Sequence, residues 1–194
     1  MIIHVVEPGQ TLNSIAEQYG VSPERIIAVN ELPNPERLVV GQSLAIRIPE
    51  LTYTVQEGDT LSAVASNFGV SVTRILQNNP AIAGANNILT PGQTIVIRYR
   101  DEEPIDTIVV NGYAYTFIDR TVLRKSLPFL TYLLVFSYGF TPSGELVTID
   151  DDELIALAQE FGVAPAMVLA PMHAEGQFSS ELASQLFADD AAED

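Results

Sequence analysis

Residues 6–12, Val-Glu-Pro-Gly-Gln-Thr-Leu, return at 55–61 as Val-Gln-Glu-Gly-Asp-Thr-Leu, and this duplication constrains the fold more than any other feature of the chain. Tyr-Gly-Val-Ser at 19–22 returns as Phe-Gly-Val-Ser at 68–71, and the stretch 41–47 returns at 92–98. The offset is 49 residues up to Asn30 and Asn79 and 51 from Leu38 and Leu89 onward, so two residues have been inserted where a loop tolerates them. A fixed period of this kind is a small structural unit used twice, and tandem use points to binding.

Each copy is expected to run strand, helix, helix, strand. Residues 4–6 and 53–55 are short β-rich openings. Thr11 and Thr60 suit the cap of a helix whose apolar positions are Leu12, Ile15, Ala16 and Tyr19 in one copy and Leu61, Val64, Ala65 and Phe68 in the other. That spacing makes one buried face. Gly20 and Gly69 stand where a glycine ends such a helix. Ser22-Pro23-Glu24 opens the next helix with a cap, a first-turn proline and an acid facing the dipole, and Ser71 repeats the cap. Ile26, Ile27, Val29, Ile75 and Leu76 close the small cores, and strands follow at 44–48 and 95–99. Residues 49–52 are read as the joint between the copies. The loop before the first helix and the loop after the second should lie side by side, giving a shallow groove in each copy. With no Trp in the chain, a ligand there must be held by backbone polar groups and small apolar contacts.

The chain carries a formal charge of −16, unevenly spread. Residues 1–99 hold five basic and eight acidic groups, and residues 100–194 hold four and seventeen. Such a chain repels nucleic acid and anionic lipid, so neither is expected as a partner. The absence of cysteine excludes thiol chemistry and disulfides; no cofactor or metal site is expected. No apolar run approaches the ~18 residues of a membrane span, and Met1-Ile2-Ile3-His4 has no basic region of a secretory signal.

Residues 55–62 (Val-Gln-Glu-Gly-Asp-Thr-Leu-Ser), Asn78-Asn79-Pro80 and residues 89–95 (Leu-Thr-Pro-Gly-Gln-Thr-Ile) closely resemble the LysM module. The resemblance covers nearly all of 3–49 and 52–99. It implies a βααβ fold that binds N-acetylglucosamine polymers, peptidoglycan or chitin, in the groove between the two loops. By position it implies sugar contacts from Gly58, Asp59, Thr60, Leu61, Asn79, Pro80, Ile82 and Leu89 in the second copy. In the first copy these become Gly9, Gln10, Thr11, Leu12, Asn30, Leu32 and Leu38. The first copy departs from the family pattern at Gln10, Glu31 and Val40, where Asp, Pro and Pro are usual, so it is expected to fold but to bind more weakly or with another preference.

Residues 100–106 read as a charged linker, after which strands and helices alternate. Strands are expected at 107–110, 132–137 and 166–169, and helices at 119–125, 152–161 and from 180 to 187. Gly112-Tyr113, the run Phe136-Ser137-Tyr138-Gly139-Phe140, Gly144-Glu145-Leu146 and residues 164–169 look like the opening of a glycoside hydrolase family 18 barrel. Joined to two LysM modules, they resemble the spore cortex-lytic N-acetylglucosaminidases. That implies three βα units of a TIM barrel with the active face at the strand C-termini. Tyr113, Tyr115, Phe136, Tyr138 and His173 would face the sugar cleft of a complete barrel, with a place in the core equally open to each aromatic and His173 a lone loop histidine with no partner nearby in sequence. The family's catalytic DxxDxDxE motif is missing from this chain, and the acidic run Asp150–Glu153 has other spacing, suited to a helix start and the surface. No catalytic residue is therefore assigned, and the chain is expected to be inactive on its own.

The expected fold is thus α+β: LysM modules at 1–49 and 51–99, a linker at 100–106, and a truncated α/β barrel segment at 107–194. The expected function is binding of peptidoglycan, spore cortex or chitin-like glycan as the wall-targeting part of a cortex-lytic glycosidase, at the cell wall or the spore cortex and coat. The alternative is a non-enzymatic wall or spore-coat scaffold. An incomplete barrel leaves an open strand edge and uncovered apolar faces, including Met172, Phe178 and Phe187, so residues 105–194 alone are expected to be loosely packed or to self-associate. The acidic tail 189–194 in mid-helix suggests a shortened chain or an interrupted reading frame.

Overall fold

The computed structural model describes residues 1–100, 108–141, 143–171, 179–180 and 184. The expectations for the linker, for His173, Met172, Phe178 and Phe187, for the acidic tail and for most of the last helix lie outside these residues. The chain forms two compact units, Met1–Asn79 with Leu89–Ile105, and Pro80–Ile88 with Asp106–Asp194. Among the described residues no helix is long and apolar enough to cross a membrane.

The first unit contains the duplicated architecture. In the first copy β1 (Ile2–Val5) pairs antiparallel with β2 (Ser43–Ile46), and α1 (Leu12–Tyr19) and α2 (Pro23–Asn30) lie between them in sequence. Local chemistry sets the helix ends as expected. Thr11 caps α1 in a reciprocal capping box with Ser14, Gly20 ends it in left-handed backbone, and Ser22 caps α2 with Pro23 in the first turn. Ile15, Ile26, Leu44 and Ile46 are fully buried in the core that results. The second copy repeats this with β3 (Pro49–Thr54), α3 (Leu61–Phe68), α4 (Val72–Asn78) and β4 (Thr94–Tyr99). Residues 49–52, read from sequence as a joint, are part of β3, so the strand of the second copy begins where the first copy ends.

The second unit is built on three parallel strands, with β5 (Asn111–Tyr115) and β8 (Ala164–Leu169) flanking β6 (Tyr132–Phe140). A two-residue strand, β7 (Leu146–Val147), pairs antiparallel with the end of β6. Helices α6 (Arg120–Ser126) and α7 (Asp152–Glu160) follow β5 and β6, and a short 3-10 turn, Leu127–Phe129, extends α6. Ala114, Leu133 and Val135 pack with Leu123, Leu127, Leu154 and Ala158 into one core. Tyr113 and Tyr115, which flank the buried Ala114 on β5, remain exposed, as do Met167 and Leu169 on β8. The described strands close no barrel.

Two expectations are corrected. The first strand of this unit is 111–115, because pairing with β6 starts at Asn111 opposite Tyr132; Ile108 and Val109 lie before it, exposed. The inserted segment after Asn79 is not plain loop. It forms α5 (Pro80–Gly84), which packs on α6 so closely that a Cβ on Gly84 would stand 3.0 Å from Lys125 Cε and 3.1 Å from Thr121 Cγ2. Asn87 continues the contact, donating to Glu160 at 2.9 Å.

Candidate functional site

In the first copy two main-chain bonds lace the connection after β1 to the connection before β2. Val6 N–H donates to Gln42 O at 2.9 Å, and Gly41 N–H donates to Val6 O at 2.8 Å. The second copy repeats both through Val55, Gln93 and Gly92, each at 2.9 Å. The two loops therefore do lie side by side. Gly9 and Gly58 turn at φ 84° and 85°, which a side chain would strain, and their outer faces are open.

The residue after each glycine anchors the turn. Gln10 Oε1 accepts from Glu7 N–H at 2.9 Å, which fixes the amide, so the His4 Nε2 at 2.9 Å must carry the proton it shares. His4 Nδ1 lies 3.0 Å from the Tyr19 hydroxyl, so both ring nitrogens of the buried imidazole have partners within the first copy. In the second copy Asp59 replaces Gln10: Oδ2 accepts from Gln56 N–H and from Tyr53 hydroxyl, both at 2.7 Å. Thr11 and Thr60 accept at their hydroxyl oxygens from the N–H groups of Ser14 and Ala63, both at 3.2 Å. Leu12 and Leu61 are buried below them.

The donors on Asp59, first the Gln56 N–H and then the Tyr53 hydroxyl, hold its carboxyl below the ordinary range. The unfolded value is the higher one, so this contribution is complete above about pH 4 and is lost as pH falls through the folded value. The second copy is thus expected to lose stability below about pH 4 more steeply than the first, where Gln10 has no carboxyl to protonate. Thermal denaturation from neutral pH downward, with Asp59→Asn as the comparison, checks this; equal acid sensitivity of Asp59→Asn and the parent would contradict it.

Asn30 and Asn79 face inward. Asn30 Nδ2 donates to Ile26 O and Ala45 O, both at 2.9 Å, and Oδ1 accepts from Ala45 N–H at 2.7 Å. Asn79 makes the same three bonds to Ile75 O, Val96 O and Val96 N–H, each at 2.8 Å. Leu32 and Leu38 are half-buried against the first core, and the 32–42 connection lines an open hollow of about 530 Å³ with Arg37, Val39 and Val40 among its walls. Leu89 is half-buried in the first unit, whereas Pro80 and Ile82 lie in α5 and belong to the second. Sequence reading overlooked Gln42 and Gln93, whose Oε1 atoms accept from Val39 N–H at 3.0 Å and Thr90 N–H at 3.2 Å and so shape one wall. The repeated Gly-Gln pair was the available signal.

The family model described as "LysM domain" matches residues 4–47 and 53–98. The duplicated units are LysM domains. YdhD of Bacillus subtilis (strain 168), named as a candidate sporulation-specific glycosylase, is 31% identical over 187 residues, 96% of this chain and 43% of that protein. The cortical fragment-lytic enzyme of the same organism is 50% identical over 48 residues, 25% of this chain and 11% of that enzyme. Crystal structures of the spore cortex-lytic enzyme SleL also match. That from Bacillus megaterium QM B1551 has a TM-score of 0.64 at 31% identity, covering 98% of this chain and 44% of that one. The Bacillus cereus enzyme has a TM-score of 0.60 at 28% identity, covering 99% and 45%. The chain is homologous to these spore cortex-lytic enzymes and spans less than half the length of each.

At the C-terminal ends of the second unit's strands, the Tyr115 ring stacks on Phe117 at 5.1 Å and meets the edge of Phe136 at 5.3 Å. Tyr138 is half-buried on β6. It donates to Asp151 Oδ2 at 2.6 Å, and this bond, with burial second, pushes the phenol up to about 12. Asp151, the residue before α7, is buried and uses its side chain here, not as a helix cap. Glu153 pairs with Arg120 at 2.8 Å, so the acidic run 150–153 is committed to structural bonds at two of its members.

Proposed function

We propose that the LysM domains bind N-acetylglucosamine polymers (peptidoglycan, spore cortex or chitin-like glycan) in the cleft between the laced connections. The chain would serve as the wall-targeting part of a spore cortex-lytic glycoside hydrolase, acting at the cell wall or cortex. The observation that carries this is the repeated pair of walls: two glycine turns with open outer faces, each bonded to the opposite connection through Val6 or Val55. Such preformed main-chain walls suit a neutral, polar, repetitive ligand. Gly9, Thr11, Gly58 and Thr60 line the proposed cleft with exposed backbone, Leu12, Leu32, Leu38, Leu61 and Leu89 form its floor, and Gln10 and Asp59 brace its turns. Asn30 and Asn79 support it from inside. The three parallel strands with α6 and α7 support the reading of the second unit as the opening of a family 18 TIM barrel. The full chain is expected to co-sediment with purified peptidoglycan and with insoluble chitin, and to be released by soluble chitooligosaccharides. Recovery in the supernatant with both polymers would sink the reading.

A further inference from the structure

Arg47 and Ile48 alone separate β2 from β3, so the two LysM domains are joined without a spacer. Three contacts brace that junction. The Arg47 guanidinium carbon lies 3.8 Å from the centre of the Tyr99 ring, within cation–π reach. Arg100 N–H donates to Ile48 O at 3.0 Å. Pro49, whose φ is fixed by its ring, pairs with Tyr99 in the β3–β4 ladder. Tyr99 is only 4% exposed, so the surface that Arg47 covers is itself anchored in the second domain. The repeat separates this brace from the needs of a single domain. In the second copy Arg98 takes the place of Arg47, is exposed, and faces Glu50 at 3.8 Å; in the first copy Ile48 takes the place of Tyr99. The aromatic ring occurs in the copy that receives the neighbouring arginine.

We propose that Arg47 and Tyr99 are positioning residues that hold the two clefts at one fixed separation, so that a single N-acetylglucosamine chain long enough to reach both is gripped as one ligand. This rests on the sugar-binding reading of the clefts. Two linked sites gain through effective concentration, which is greatest when the connection already matches the span and has little freedom to lose. The test compares the full chain with Arg47→Ala and Tyr99→Phe, using N-acetylchitotriose as the short probe and soluble glycol chitin as the long one. Arg47→Ala is expected to leave chitotriose affinity unchanged, to weaken glycol chitin binding about tenfold, and to let the two domains tumble separately in amide relaxation. Tyr99→Phe keeps the ring that Arg47 covers and should retain glycol chitin binding closer to the parent than Arg47→Ala does. Unchanged glycol chitin binding in Arg47→Ala, an equal loss for both probes, or domains that still tumble together would each overturn the proposal. Chitotriose that moves no amide signal in the parent would instead overturn the sugar reading, and with it the ligand named here, while the relaxation comparison still decides the brace.

Discussion

Asn79→Ala is expected to destabilise the second LysM domain by about 2–4 kcal/mol. The substitution removes three hydrogen bonds at once and leaves Ile75 O, Val96 O and Val96 N–H without their side-chain partner. The site is half-buried, so water recovers part of the loss and the sum stays below three full desolvation penalties. Asn30→Ala should act alike on the first domain through Ile26 and Ala45. Urea unfolding followed by domain-resolved amide signals measures the effect. A second reading comes from glycan affinity under conditions where the variant stays folded, which should remain within about twofold of the parent. A variant of undiminished stability that loses glycan binding would restore Asn79 as a direct contact.

Leu154→Ala should remove about 3–4 kcal/mol from the second unit. Leu154 is fully buried, and it packs in the core that joins α7 to β6 and α6. Truncation there forfeits the transfer free energy of the lost carbons and leaves a cavity between elements that are held by the sheet. The unit is small and exposes apolar side chains such as Phe117 and Met167, so little stability is held in reserve. Its signals are expected to broaden or vanish at temperatures where the LysM cores, centred on Ile15 and Ile75, remain folded. Uniform loss of both would show one cooperative transition and contradict this expectation.

Much of the LysM fold was legible because its determinants are local. Thr11, Ser22, Thr60 and Ser71 cap helices through atoms three residues away, and Gly20 and Gly69 end them by backbone freedom. The orientation of Asn30 and Asn79 was not legible, since it depends on strands that lie 15 and 17 residues further on. Similarity by position put both at the sugar; the fold turns both toward the sheet. The apolar run 108–110 misled in the same way, since strand limits are set by the partner, here Tyr132, and not by hydrophobicity. Nor does sequence show that Tyr138 and Asp151 satisfy one another, a pairing that requires β6 and the start of α7 to be placed first.

The short helix inside the second LysM domain has a practical consequence for anyone wishing to excise these domains. A cut after residue 99 falls just past the matched LysM residues, yet it would strip α5 of α6, the helix on which a Cβ at Gly84 would stand 3.0 Å from Lys125 Cε, and of Glu160, the acceptor for Asn87. Ile82 and Ala83, now sealed from water, precede Gly84 in the same short helix. A polypeptide trimmed there is expected to be less sturdy than its parent. Should the trimmed piece fail to hold glycan, the choice of cleavage point would be the first thing to blame.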